Sequence, residues 1–475
     1  MSNYWMTLSQ VKRFLPEATL INSPSTELVI KRFISDSRQV MQGDCFIAIR
    51  GEKFDAHDFL DEVQEKGAGI ALVSSVEQLP NGFCGILVKD TILALQELAR
   101  EWQKECKKHQ LKNLVVVTGS NGKTTVKGMI ESIFNAAVGN DHALATLGNF
   151  NNEIGLPLTL LRLTTQHELA VIELGMNHPG ETSLLASIAN ANIVLINNAQ
   201  REHQEFMATV EAVAQEHALA IKALPANGSA IFPADSEYSD YWRQLAAQRA
   251  VVDFAWGINA KAIVTGDWFN QATNQININT PKGDIQVTLN ILGEHNARNA
   301  LAATAASLAA GLPLNIIQAG LENFKPVNGR MQQHQLNDQT TLIDDTYNAN
   351  PDSVRAAIDV LAALPNSSWL VLGDMGEVGD QGPEFHYEVG SYAGEKGIKK
   401  LFAMGELSKQ AISAYSKKSL EGSTAAHFDA VEDLCQALKS SLAQRTVNEA
   451  TTVLIKGSRF MQMERAVKAL VEEIH

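Results

Sequence analysis

Residues 114–125 read Leu-Val-Val-Val-Thr-Gly-Ser-Asn-Gly-Lys-Thr-Thr, and this stretch decides the fold. Leu114 to Val117 is an unbroken apolar run, the pattern of a strand buried on both faces of a parallel sheet. Gly119, Ser120, Asn121 and Gly122 form a tight loop, and Lys123, Thr124 and Thr125 open a helix that carries Ile130 and Phe134. Strand, loop and helix start together make a phosphate site. Backbone N–H groups at the helix N-terminus point at an anion, and Lys123 adds a full positive charge. Thr124 is placed to give its hydroxyl to a magnesium ion. The general phosphate-loop pattern asks for a glycine where this chain has Val117, so the loop is shorter than that pattern. An ordinary strand-to-helix turn also uses glycine for positive φ. Such a turn does not explain a lysine at the helix N-terminus, where the dipole disfavours it unless an anion is bound.

Working outward, the middle of the chain repeats the strand-to-loop logic. Leu169–Leu174 reads as a strand ending at Glu173, and Ile193–Ile196 as another, followed by a loop reaching His203. Carboxyl ends of parallel strands line the ligand crevice of a doubly wound sheet. Lys123, Thr124, Glu173 and His203 can therefore converge. Glu173 suits magnesium, which prefers oxygen ligands and keeps several waters. His203 is a less usual ligand and is expected to act through water or on a second magnesium. A solvated strand-end carboxylate and a satisfied surface histidine are the plainer alternatives.

Upstream, a short amphipathic helix (Leu8, Val11, Phe14, Leu15) precedes strand-like pieces at 45–49, 70–73 and 86–88, with a polar loop from Gly51 to Phe59 between them. A charged helix from Ala94 to Lys108 leads into the central strand. Downstream, residues 261–289 look like a β-rich insert, and a helix runs from Asn296 to about Ala310. Asn296 suits an N-cap; with Asn299 it also suits amide contact with an adenine ring. The pattern breaks near Pro326–Gly329, and a second open α/β sheet begins, with strands at 341–344, 369–372, 400–403 and 452–455. Its strand ends carry Asp345, Tyr347, Asn348 and Asn350 on one loop and Lys456 and Arg459 on another. Those cations suggest a bound carboxylate or phosphate. The loop Gly148–Pro157 is dense in amides (Asn149, Asn151, Asn152), which suits peptide or sugar recognition, or a turn held by local asparagine bonds.

The expected fold class is α/β with three domains: a small mixed α/β domain at 1–88, a central P-loop parallel-sheet domain of ATPase type at 89–326, and a Rossmann-like α/β domain at 327–475. The 475-residue length agrees with about three domains. A net charge of −14 argues against nucleic acid as the main partner, because that binding is driven by phosphate neutralisation. Cys45, Cys84, Cys106 and Cys435 lie far apart without a CxxC pair, so reduced thiols in a cytoplasmic protein are expected. The first ten residues lack the plan of a signal peptide. The alanine-rich stretch 301–312 reads as a buried helix and not as a membrane span.

These motifs together resemble the Mur ligases, ATP-dependent amide-forming enzymes of peptidoglycan precursor synthesis. Thr118–Thr125 looks like the family's ATP loop, Gly148–Pro157 its central substrate loop, Gly293–Asn299 its adenine segment and Asp345–Pro351 its C-terminal signature. Ser35–Arg38 with Phe54–Phe59, Leu372–Glu377 and Leu454–Arg459 resemble the branch that adds D-alanyl-D-alanine. The resemblance implies ATP and magnesium as cofactors. It implies UDP-N-acetylmuramoyl-tripeptide and D-alanyl-D-alanine as substrates, and a cytoplasmic monomer. Ser35, Asp36, Ser37, Arg38, Asp55 and His57, with Asn149, Asn151 and Asn152, would then face the nucleotide sugar and its peptide. Arg330 and Asp345 would hold the ATP ribose and phosphates. Tyr347, Asn348, Asn350, Lys456 and Arg459 would line the D-alanyl-D-alanine side. Rival readings are a ligase for another amino acid, a folate-type glutamyl ligase, or a P-loop switch that makes no bond.

The chain departs from the family at one place. Many Mur ligases carry a carbamoylated lysine shortly after the metal-site histidine; His217 stands about there in this chain. Lys222 is too far along the helix to replace it, so Glu216 or a water network is expected to substitute. The run Asn198-Ala-Gln-Arg-Glu202 also replaces the small Gly-Pro-Ala run common in the family.

Overall fold

The computed structural model describes residues 5–24, 27–51, 53–445 and 449–472. Glu52 of the Gly51–Phe59 loop and residues 1–4 of the N-terminal stretch read above lie outside them. The architecture is three α/β domains in chain order.

The central sheet has six strands, in the order Ala250–Val251, Ser229–Ile231, Ile193–Ile196, Asn113–Thr118, Leu169–Glu173 and Ala143–Ala145. Every pair in it is parallel. From Asn113–Thr118 the chain goes first to the edge strand Ala143–Ala145, returns to Leu169–Glu173 beside the P-loop strand, then crosses over and builds the other side outward. The sheet order therefore reverses at the P-loop strand, which is where a ligand crevice opens. Register completes the arrangement: Glu173 pairs with Val117, and Ile196 with Thr118. Three strands thus end level with one another, and their loops meet at one edge.

The apolar run is buried on both faces, as its composition predicts. Val115 and Val117 pack with Met129, Ile130 and Ile133 of the helix Lys123–Val138. Leu114 and Val116 face the other way, toward Trp102 and Leu156. Each such side chain contributes about 1.5–3 kcal/mol by leaving water. Helices Glu294–Ala309 and Leu314–Asn323 cover the outer face of Lys123–Val138. The second comes so close that a Cβ on Gly320 would lie 2.4 Å from Ile133 Cα, so only glycine fits there. The alanine-rich stretch is interior helix, with Ala300, Leu301, Ala303 and Ala306 fully buried. Among the described residues no helix is long and apolar enough to cross a membrane. The β-rich insert is a four-stranded sheet over Phe254–Trp256, Val264–Asn270, Gln275–Thr280 and Gly283–Thr288.

The N-terminal sheet runs Thr19–Ile21, Gly85–Leu87, Ile70–Val73, Cys45–Ile47 and Phe33–Ile34, parallel except for its first pair. The C-terminal sheet runs Gln332–Asn337, Thr340–Asp345, Thr451–Lys456, Ser367–Gly373, Lys400–Met404 and Thr424–Phe428, with only the first pair antiparallel. The four strands expected from sequence are its interior. The two that sequence reading missed are its edges. Gln332–Asn337 has one buried side chain, Leu336, and Thr424–Phe428 none, so neither carries the apolar run that marks an interior strand.

One local expectation is corrected. Asn296 is not the N-cap of its helix. Gly293, at φ 102°, holds that position, and Asn296 lies buried inside the first turn.

Candidate active site

The loop after the central strand keeps its shape through two glycines. Gly119 has φ 130° and Gly122 φ 79°, a region that costs other residues strain. A Cβ on Gly122 would also lie 2.6 Å from Asn299 Oδ1 and 2.7 Å from Asn197 Nδ2. The loop is braced by the segment that follows Ile196. Asn121 N donates to Asn198 Oδ1 (2.8 Å), Gln200 N to Ser120 Oγ (2.9 Å), and Asn197 Nδ2 to Asn121 O (2.8 Å).

Lys123, at the start of the helix, turns its ammonium back into this loop. Nζ donates to Gly119 O (2.5 Å), Ser120 O (3.2 Å) and Glu202 Oε2 (3.3 Å). Three oxygens answer the charge that the helix dipole disfavours, standing where phosphate oxygens would serve. Thr124 Oγ donates to Glu173 Oε1 (3.3 Å), and Asn151 Nδ2 donates to the same oxygen (2.9 Å). Glu173 Oε2 is buried with no hydrogen-bond partner. An orphaned carboxylate oxygen beside the P-loop threonine fits a divalent cation. Among the described residues no group of three His, Cys, Asp or Glu side chains is arranged to hold a metal alone.

Sequence reading missed the acid on the other side of Lys123. Glu202 is buried, and its Oε1 lies 2.9 Å from His217 Nε2. His217 is fully buried and meets Thr118 Oγ1 through Nδ1 at 2.9 Å. Burial pushes the Glu202 carboxyl up, but the Lys123 ammonium and the His217 contact outweigh it and hold the group well below the usual carboxylate range. Glu216, expected to stand in for the family's lysine, is committed elsewhere. Its Oε1 accepts from Gly180 N and Thr182 N, both at 3.0 Å, and so caps the helix Glu181–Ala189. Lys222 is exposed at the end of its helix. His203, at φ 47°, approaches Glu377 of the C-terminal domain to 2.6 Å without hydrogen-bond alignment, and its Nε2 lies 3.8 Å from Glu202 Oε2.

A cavity of about 380 Å³ opens beside the loop, between the central and C-terminal domains. On the central side an amide chain lines it: Asn197 Nδ2 donates to Asn299 Oδ1 (2.9 Å) and Asn299 Nδ2 to Asn296 Oδ1 (3.0 Å). Across from it stand Arg330, Asp345 and Lys456. Arg330 lies 4.0 Å over the Tyr347 ring, and its Nε is buried and unpaired. Lys456 is buried in this cavity, with Nζ 2.6 Å from Asp345 Oδ2 and 2.9 Å from Asn348 O. Burial lowers its pKa against the pull of Asp345. Asn350 caps the helix Pro351–Ala363 through Ser353 N (2.8 Å) and reaches the P-loop, donating from Nδ2 to Asn121 Oδ1 (2.9 Å). Arg459 is exposed and pairs with Glu464 at 3.1 Å. Asn149 is exposed, and Asn152 Oδ1 accepts from Gly155 N (2.8 Å) at the start of the helix Gly155–Leu160.

The N-terminal residues do not reach this cavity. Asp36 caps the turn Ser37–Gln39 and pairs with Arg38, whose hydrogen bond holds the carboxyl down to about 2. Asp55 Oδ1 accepts from His57 N at 3.0 Å, and Oδ2 accepts from Arg50 Nε at 2.7 Å. His57 is buried, with Nδ1 against Asp55 and Nε2 accepting from Ser74 N (2.9 Å), so it shapes the loop from beneath. Phe54 and Phe59 are exposed there.

Comparison with known proteins agrees along the chain. Residues 30–117 match the Mur ligase family catalytic domain, 117–307 the Mur ligase middle domain, and 329–459 the Mur ligase glutamate ligase domain. UDP-N-acetylmuramoyl-tripeptide–D-alanyl-D-alanine ligase of Escherichia coli K12 is 38% identical over 447 residues, covering 94% of this chain and 95% of that protein. A crystal structure of MurF from Acinetobacter baumannii superposes with TM-score 0.88 at 30% identity, covering 99% of this chain and 100% of that one. MurF ligase from Thermotoga maritima, solved in complex with ADP, gives TM-score 0.78 at 26% identity, with 94% and 98% covered.

Proposed function

The chain belongs to the Mur ligase family, and from that premise we propose how its residues perform the ligation. It is an ADP-forming ligase that joins D-alanyl-D-alanine to the terminal carboxylate of UDP-N-acetylmuramoyl-tripeptide in peptidoglycan precursor synthesis. The peptide carboxylate attacks the γ-phosphorus of ATP, ADP leaves, and an acyl phosphate forms. The free amine of D-alanyl-D-alanine attacks that carbonyl, loses a proton, and expels inorganic phosphate.

Little covalent work falls to the protein, so positioning and charge neutralisation dominate. The observation that carries the reading is Lys123 with Thr124 and Glu173 at one sheet edge, beside a cavity walled by two domains. Lys123 leaves its loop carbonyls for the β- and γ-phosphates, joined by N–H groups of residues 119–125. Thr124 and Glu173 would hold magnesium, with His203 serving that site, and the bound ion would supply positive charge against the triphosphate. Asn296 and Asn299 meet the adenine. Arg330 and Asp345 hold the ribose and phosphates, and Lys456, buried on the same side, serves the phosphate chain.

The uridine nucleotide binds the N-terminal domain through Ser35–Arg38 and the Phe54–Phe59 loop. Its peptide passes Asn149, Asn151 and Asn152. Tyr347, Asn348 and Arg459 face D-alanyl-D-alanine. Closure of the C-terminal domain excludes water from the hydrolysable acyl phosphate. We place the domain boundaries at 88/89 and 326/327, and the reaction in the cytoplasm with a monomer.

A coupled ADP-release assay tests the reading. Turnover is expected only when ATP, the nucleotide tripeptide and D-alanyl-D-alanine are all present. Steady hydrolysis of ATP with neither acceptor nor dipeptide would point to a nucleotide switch instead.

A further inference from the structure

The run Asn198–Glu202, where this chain departs from its family, lies between the P-loop and the C-terminal domain. Its consecutive charged residues face opposite ways. Arg201 turns outward to two carboxylates on two different helices of the C-terminal domain. Its Nη2 lies 2.6 Å from Asp352 Oδ1, and its backbone N donates to Asp352 Oδ2 at 3.0 Å. Nη1 and Nη2 grip Glu388 at 2.7 and 3.1 Å. The guanidinium also stands 5.3 Å over the Phe385 ring. Glu202 turns inward to Lys123 and His217, and His203 turns outward again to Glu377. Glu205 N donates to Glu377 O at 3.3 Å.

We propose that Arg201 is a positioning residue of the ligation, a latch that holds the C-terminal domain closed over the P-loop. The planar fork of an arginine matches a carboxylate with two parallel bonds, and here it matches two carboxylates at once. Asp352 follows the cap residue Asn350, which bonds P-loop Asn121, and Asp352 itself lines the nucleotide cavity. The latch therefore engages only when Arg330, Asp345 and Lys456 stand against the amide wall of the central domain. The same short segment braces the P-loop from Asn198 and Gln200. Closure of the domains and the shape of the phosphate loop are thus mechanically joined. The kinetic part of this inference rests on the ligation proposed above; the conformational part does not.

The test uses the full chain carrying spin labels at Ser187→Cys, on an exposed helix position of the central domain, and Lys417→Cys, exposed on the C-terminal domain. Pulsed dipolar spectroscopy then reads the interdomain distance without turnover. Arg201→Ala is expected to shift the distribution from one narrow, short distance to a longer, broader one. Glu388→Gln, altered on the other side of the interface, moves it the same way, and Arg201→Lys falls between. With substrates, kcat falls roughly tenfold for Arg201→Ala while KM for D-alanyl-D-alanine and ATP changes less. An unchanged distance distribution in both Arg201→Ala and Glu388→Gln overturns the latch, whatever happens to activity. A shifted distribution with unchanged kcat overturns the positioning role.

Discussion

Replacing Glu173 by glutamine separates what this side chain does for the fold from what it does for the reaction. The residue is 2% exposed. Oε1 accepts from Thr124 and Asn151, at 3.3 and 2.9 Å, and Oε2 is buried with no partner. A buried polar atom left unsatisfied costs about 1–3 kcal/mol, and more when it is charged. Glutamine keeps the shape and the accepting oxygen. It exchanges the orphaned anionic oxygen for an equally orphaned but neutral NH₂, so only the charged part of the penalty is relieved. We expect Glu173→Gln to be more stable than the parent by about 1 kcal/mol in urea unfolding with chelator present. In the reaction the sign reverses. The cation loses its anionic protein ligand, and kcat/KM in the ADP-release assay should fall at least about 100-fold, roughly 2.7 kcal/mol of transition-state stabilisation. Manganese binding read by electron paramagnetic resonance should weaken in parallel. A glutamine variant less stable than the parent without metal, or one that turns over within about threefold of it, would refute the assignment of Oε2 as a cation ligand.

Two further outcomes are expected. Lys123→Ala should lower kcat/KM by about a thousandfold and destabilise the chain by about 2 kcal/mol, because Glu202 loses its ammonium partner and keeps His217 at 2.9 Å and the more distant His203 at 3.8 Å. Adding Glu202→Gln should restore the stability but not the turnover; recovered activity in the double variant would disprove the phosphate role. His167 supplies a pH test away from the site. Burial lowers its pKa to about 4, and Nδ1 accepts from Thr164 N at 2.8 Å, which only the neutral ring can do. The unfolded chain, with an ordinary histidine near 6.5, binds the extra proton first, so stability is lost as pH falls from that value toward about 4. Urea unfolding at about pH 7.5 and about pH 5 should show a loss smaller by about 2 kcal/mol in His167→Asn than in the parent; equal losses would mean that the ring titrates normally.

Much of this protein is decided locally. Leu114–Val117 specifies an interior strand because four apolar residues in sequence bury both faces, and Gly119 and Gly122 specify the loop because their φ values are positive. Lys123, Thr124 and Glu173 were legible because each sits within a residue or two of a strand end or helix start that the sequence itself marks. The edge strands Gln332–Asn337 and Thr424–Phe428 were not, because partial exposure leaves no apolar run to read.

What the sequence could not settle is which polar side chain meets which. Glu202 reaches Lys123 and His217, while Glu216, expected in place of the family's lysine, is turned toward Gly180 by helix Val210–Lys222, which also turns His217 toward Thr118. Lys456 stands in the cavity between the domains because it pairs in register with Asp345 across neighbouring strands. Arg201 finds Asp352 and Glu388 only once two domains dock. The sequence by itself determined the elements and the chemistry at their ends, since dihedral preference and burial period act over a few residues. Strand order, register and docking between domains bring together side chains 79 residues apart at Lys123 and Glu202 and 151 apart at Arg201 and Asp352, and such meetings are settled by the tertiary structure alone.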